Sequence, residues 1–288
     1  MAAPAIDVEG ARFAYGAREV VKGVSFQVAP GEVLGFLGPN GAGKSTTIRM
    51  LTGQLKPSAG WVRVLGRDVH DERALVMGRV GVSFEEKNLY PTMTAEENLR
   101  FFARLYGVPH RDTHIRSLLD LVGLGARGRD RVAGYSKGMR QRLMIARALV
   151  HDPDVLLLDE PTDGLDPVSS EAVRDVIRAR VEAGNAVLLT THDMHEADEL
   201  SNRVAFLNEG TVYALDTPEN LKLAHGQRVV KVRLRDGDGV REESVPLDDE
   251  RAGARVQALI DGGDVVTVHT AEATLEDVFL GMTGRGLT

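Results

Sequence analysis

The chain has 288 residues, 43% hydrophobic and 27% charged, with a net charge of −7 and no cysteine. This is the composition of a globular protein with a substantial core; it excludes disulfides and thiolate metal sites and argues against a surface that coats nucleic acid. No window reaches the ~20 apolar residues of a membrane-spanning helix, and residues 1–7 lack the charged and apolar regions expected of a signal peptide; for action at a membrane, spanning helices are expected from other chains.

In chain order, apolar runs predict strands over 20–28 and 33–37 and a helix over 45–51. Between the last two lies Gly38-Pro39-Asn40-Gly41-Ala42-Gly43-Lys44-Ser45-Thr46, which satisfies G-x-x-x-x-G-K-[ST]. Strand, glycine loop and helix start are what phosphate binding needs. Small residues let backbone N–H groups approach the phosphates, and the helix N-terminus adds a favourable dipole. Lys44 would reach the β- and γ-phosphates, while the Ser45 hydroxyl would ligate Mg²⁺. The chain is expected to bind a nucleoside triphosphate.

Further strands are expected over 61–65 and 80–84, after which the pattern turns helical from about 94 to 150. Thr94 and Glu97 have capping-box spacing, and Leu99, Phe102 and Leu105 recur at helical period as the expected core face. With helices over 112–122 and 138–149, this segment reads as a helical subdomain of about 86–150 inserted between two parts of a sheet.

Strands resume over 155–158, 186–190 and 204–208, with a helix over 168–183. The first of them ends in Asp159-Glu160, and acids at the carboxyl edge of an open α/β sheet face the ligand crevice. Alone they would equally well cap the turn before Pro161. Beside a phosphate loop, Asp159 is suited to organise Mg²⁺ and Glu160 to take a proton from the water attacking the γ-phosphate. From 216 the pattern changes again. Thr217-Pro218 starts a helix, strands follow over 228–235 and 240–245 around an Asp-Gly-Asp-Gly turn at 236–239, and a helix over 251–260, a strand over 265–269 and a helix over 274–280 complete a small α+β unit.

Three more segments give these motifs a specific resemblance. Tyr135-Ser136-Lys137-Gly138-Met139, before Arg140-Gln141-Arg142-Leu143, resembles the LSGGQ signature of the ATP-binding cassette (ABC) ATPases, the motor subunits of ABC transporters. Asp163-Gly164-Leu165-Asp166 is similar to their D-loop, and Thr190-Thr191-His192 to the strand end that carries their switch histidine. The resemblance covers about 5–215. It implies an α/β fold: a P-loop NTPase core of the ABC type over 1–215, with the helical insert, and a C-terminal α+β accessory domain over 216–288.

The resemblance also implies a composite site. ATP held by 38–46 of one subunit would be closed by Ser136 and Gly138 of a second copy, with Asp166 coupling the two sites. His192 would contact the γ-phosphate and hold the attacking water, and Tyr15, in Phe13-Ala14-Tyr15-Gly16, would stack on adenine. The implied partners are a second ATPase subunit and a multi-span permease, with no nucleic acid. The implied location is peripheral, on the cytoplasmic side of the cell membrane, with the isolated chain soluble.

Two departures stand out. Lys137 and Met139 replace the signature's Gly and Gln, and Glu85 stands where the family usually has Gln. A carboxylate at 85 would ligate Mg²⁺ with a full charge but repel the γ-phosphate. The segments Ala273-Thr274-Leu275-Glu276-Asp277-Val278-Phe279-Leu280 and Thr283-Gly284-Arg285 resemble the tail of drug- and antibiotic-exporter ATPases. Export of a drug-like, antibiotic, lipid or ion substrate is therefore expected, ahead of an importer or of a soluble ATPase acting on ribosomes or DNA. The tail itself reads as a dimer contact or regulatory appendage, or as a structural cap. Leu89, Tyr90 and the helix after Thr94 are expected to offer a groove to the permease. His192 and His195 read as an exposed polar helix rather than a zinc site, and 127–131 as a solvated basic loop.

Overall fold

Strands rich in apolar residues build three sheets in a computed structural model that describes residues 3–284, except 85–88, 109–110, 227–228, 237–238, 248, 250 and 272. The chain divides into two compact units, Met1–Leu215 and Asp216–Thr288. The first opens with strands β1 (Ile6–Tyr15), β2 (Arg18–Val28) and β3 (Val33–Leu37), then helix α1 (Lys44–Leu51). Strands β4 (Ala59–Val64) and β5 (Arg67–Asp68), helix α2 (Arg73–Met77) and strand β6 (Val80–Ser83) follow. A helical segment comes next: α3 (Ala95–Leu105), α4 (Asp112–Leu121) and α5 (Lys137–Ala148). The chain returns to sheet through β7 (Val155–Asp159), α6 (Pro167–Glu182), β8 (Ala186–Thr191), α7 (Met194–Leu200), β9 (Arg203–Asn208) and β10 (Thr211–Asp216).

Strands β2-β1-β4-β5 form an antiparallel sheet, and β10-β9-β3-β8-β7-β6 a six-stranded one in which β6, β7, β8, β3 and β9 run parallel. Its central strands β3, β7 and β8 are buried at every position and apolar up to their carboxyl ends, because both faces are covered. Leu34, Phe36, Val155, Leu157, Ala186 and Leu188 join β1, β2, β4 and α1 in one core. Leu156, Leu158, Val187 and Leu189 point the other way, into a core shared with α3, α4, α5 and α6. Each such Leu or Val contributes roughly 1.5–3 kcal/mol on burial. The parallel register aligns the carboxyl ends of three strands: Leu37 lies opposite Thr191, and Asp159 opposite Thr190.

Three strands escape the sequence pattern, the two-residue β5 among them. In β1 the alternation is broken at Gly10, φ 56°, where the pairing with β2 slips between Val8 and Ala11. In β10 every residue is partly exposed, with no buried face to mark the period.

Helix α3 starts on a capping box: the Glu97 amide donates to Thr94 Oγ1 at 3.1 Å, and the Thr94 amide to Glu97 Oε2 at 2.8 Å. Its core face differs from the expected one. Ala95, Asn98, Leu99 and Ala103 are buried, Phe102 is partly buried, and Leu105 is 70% exposed. A 100° step per residue carries Leu105 away from the side that Leu99 and Ala103 define.

In the second unit, helix α8 (Pro218–His225) begins on Thr217, whose Oγ1 accepts from the Asn220 amide at 3.1 Å. Strands β11 (Val229–Asp236) and β12 (Gly239–Pro246), helix α9 (Ala252–Gly262), strand β13 (Val265–Ala271) and helix α10 (Leu275–Thr283) follow. The sheet order is β12-β11-β13, with Val230, Val232 and Leu234 packed against Val256 and Leu259. Asp236 pairs with Gly239; residues 237–238 of the expected turn lie outside the described residues.

Candidate functional site

The loop after β3 is shaped by glycines with specific reasons to be glycine. A Cβ on Gly38 would lie 1.9 Å from the Leu207 carbonyl oxygen, and Gly43, the N-cap of α1, has φ 109°. Lys44 and Ser45 are thereby the first residues of α1, on the helix end that favours anions. The Lys44 side chain is 6% exposed; its Nζ donates to the Gly38 carbonyl at 2.6 Å and lies 3.2 Å from Glu160 Oε1.

The parallel register brings the acids to this loop. Asp159, 4% exposed, accepts at Oδ1 from Thr190 Oγ1 (2.6 Å) and Ser45 Oγ (3.2 Å). Glu160 turns sharply out of β7 at φ 48°, and its amide donates to the Thr190 carbonyl at 3.1 Å. That turn aims its carboxylate at two groups at once, Lys44 through Oε1 and His192 Nδ1 through Oε2 at 2.9 Å. A cavity of about 230 Å³ is lined by Val20, Pro39, Asn40, Gly41, Gly43, Lys44, Ser45, Thr46, Glu160, Asp163 and His192. Ala42 is buried behind the loop.

The oxygen donors Ser45 and Asp159 suit a hard divalent cation. Among the described residues no cluster of three or more His, Asp or Glu side chains could by itself hold a metal ion. A cation here would take its remaining ligands from phosphate and water.

Other expected site residues stand apart from this cavity. Tyr15 ends β1, 45% exposed and edge-on to Phe13 with ring centroids 4.9 Å apart. Ser136 caps α5, accepting from the Met139 amide at 3.2 Å. Gly138 lies against α6, where an added Cβ would come 2.6 Å from Ser169 Oγ. Asp166 caps α6; hydrogen bonds from the Ser169 hydroxyl and amide hold its carboxyl below the usual range. Glu85 lies outside the described residues.

Sequence reasoning gave no role to three groups found here. Asp163 lines the cavity, its Oδ1 4.0 Å from His192 Nε2. Thr190 holds Asp159. Glu196 is buried under the loop after Glu160, where Oε1 accepts from Thr162 Oγ1 at 2.5 Å; burial pushes its carboxyl above the usual carboxylate range. Only the Asp163-Gly164 turn carried a local signal, because Thr190 and Glu196 reach their partners from 31 and 34 residues away.

Fold and site together define a P-loop nucleoside-triphosphatase. The ABC transporter family model matches residues 21–163. Over 286 residues the chain is 43% identical to a fluoroquinolones export ATP-binding protein of Mycobacterium tuberculosis, covering 98% of this chain and 94% of that one. It is 40% identical over 307 residues to the daunorubicin/doxorubicin resistance ATP-binding protein of Streptomyces peucetius, covering 98% and 93%. A solved ATP binding subunit of an ABC transporter superposes with a TM-score of 0.70 at 31% identity, over 77% of this chain and 93% of the other. The chain belongs to the ABC transporter ATP-binding proteins, and its activity is ATP hydrolysis.

Proposed function

We propose that this chain powers export of a drug-like, antibiotic, lipid or ion substrate through a separate multi-span permease, held peripherally on the cytoplasmic side of the cell membrane. The relatives named above are called export and resistance proteins over nearly their full length, which supports export rather than import. Among the described residues no helix is long and apolar enough to cross a membrane, so the pore is assigned to another chain. A groove of about 550 Å³, lined by Leu89, Tyr90, Phe102, Tyr106 and the buried Arg147 among others, is the proposed seat of the permease. Residues 1–215 are the proposed ATPase domain and 216–288 an accessory domain that favours pairing.

The observation that carries the catalytic reading is Glu160 bridging Lys44 and His192. An arriving γ-phosphate takes Lys44 from Glu160 and accepts hydrogen bonds from backbone N–H groups of the glycine loop, Pro39 excepted. Released on that side, the carboxylate accepts a proton from water as the water oxygen attacks the γ-phosphorus. The β–γ bridging P–O bond breaks and ADP leaves. His192 orients the water and touches the phosphate. Ser45 and Asp159 would hold Mg²⁺, which would neutralise charge on the phosphates, and Tyr15 stacks on adenine. Ser136 and Gly138 of a second copy close the site, with Asp166 linking the two.

Glu160→Gln keeps the shape and removes the base. With ATP and Mg²⁺ it should form a stable dimer by size exclusion and release phosphate at least about 10²-fold more slowly. Brisk turnover by this variant would overturn the assignment of Glu160, and dimer formation without nucleotide would overturn the closure by ATP.

A further inference from the structure

The signature segment carries a lysine where its position in the fold gives a cation nothing favourable locally. Lys137 is the first residue of α5, at the positive end of the helix, and no acidic residue occupies that first turn. Its Nζ instead reaches Asp163 Oδ2 at 3.2 Å, across 26 residues of sequence. A Cβ on Gly164, φ 59°, would stand 2.1 Å from that ammonium, so the lysine is laid over the loop that follows Glu160. The two side chains are 49% and 42% exposed, and an ion pair so open to water adds little to stability. Its consequence is the potential inside the neighbouring cavity.

Two carboxylates line that cavity, Glu160 and Asp163. Glu160 is met by Lys44 and His192. Asp163 has His192 Nε2 only at 4.0 Å, and its close cation is Lys137. The site must receive a polyanion, and an uncompensated carboxylate beside the terminal phosphate would repel it. We propose that Lys137 is a charge-compensating residue of the nucleotide site, neutralising Asp163 so that the terminal phosphate of ATP can enter. The lysine sits between Ser136 and Gly138, so the segment read as closing the second subunit's nucleotide also sets the charge of its own. The inference rests on the reading of 38–46 as the ATP site.

The test is equilibrium titration of the full-length chain with Mg-ATP and with Mg-ADP, for the parent, Lys137→Ala, Asp163→Asn and the double variant, with thermal midpoints confirming folding. Lys137→Ala should weaken ATP about five- to tenfold and ADP less than about twofold, because ADP lacks the terminal phosphate. Adding Asp163→Asn should return ATP affinity to within about twofold of the parent. The defect of Lys137→Ala should also shrink between 0.05 and 0.5 M salt, roughly as the Debye length shortens. A defect that persists in the double variant, or is equal for ATP and ADP, overturns charge compensation while leaving the ATP site standing. A parent chain that binds no ATP overturns the site reading and this inference together.

Discussion

Glu160 shows how much one backbone angle decides. At φ 48° it occupies a region that non-glycine residues seldom adopt, and the turn directs a carboxylate between an ammonium and an imidazole that belong to other elements. The loop behind it is held by Glu196, a residue 1% exposed. Burial is the largest influence on Glu196 and raises it above its ordinary value, although the Thr162 hydroxyl works in the opposite direction. The native state therefore keeps a proton that the unfolded chain has already released, and stability falls as pH rises from the unfolded carboxylate value through the raised one. Glutamine retains the acceptor for Thr162 without the charge. Glu196→Gln should melt higher than the parent at pH 8 and close to it at pH 4, by scanning calorimetry; equal midpoints at pH 8 would count against a charge-burial cost.

Among the elements, α3 depends on a polar residue inside its apolar face. Asn98 is fully buried; its Oδ1 accepts from the Tyr90 amide at 2.8 Å, and its Nδ2 donates to the carbonyls of Tyr90 (3.1 Å) and Thr94 (2.9 Å). These bonds fix the segment before the helix and place Tyr90 against Phe101 and Phe102. Asn98→Ala strands the Tyr90 amide and should cost about 1–3 kcal/mol in denaturant unfolding. ATP binding should change little while affinity for the permease drops, because the groove wall loosens at Tyr90 and the phosphate loop is untouched. Loss of ATP binding with the fold intact would contradict that separation. The Thr94–Glu97 box that starts this helix is legible in sequence because capping is local. The core role of Asn98 is not, since an asparagine at a helical period has the composition of a solvent-facing position.

At the scale of the whole molecule, the two units have separate cores, one pair around the six-stranded sheet and one on β11. If the second unit serves pairing, a chain ended after Asp216, where β10 stops, should keep the parent's ATP affinity. It should also need higher protein concentration to dimerise with ATP, as sedimentation would read. Equal dimerisation would leave the second unit without that role.

The parallel sheet and the helical insert were legible because strands buried on both faces are continuous apolar runs and the insert repeats at helical period. β1 and β10 were not, because a glycine bulge breaks one alternation and the other strand has no fully buried face. By itself the sequence determined which chemical groups are available: a glycine loop with the phosphate-binding pattern, a lysine, two acids, a histidine, and the family they resemble. Only the tertiary structure decided which of them meet. β8 runs between β3 and β7, so Thr190 reaches Asp159, and His192 reaches Glu160 and approaches Asp163, while α5 brings Lys137 onto the loop after Glu160. Spacing along the chain is local information, whereas strand order and register join residues as distant as Ser45 and Asp159, 114 positions apart.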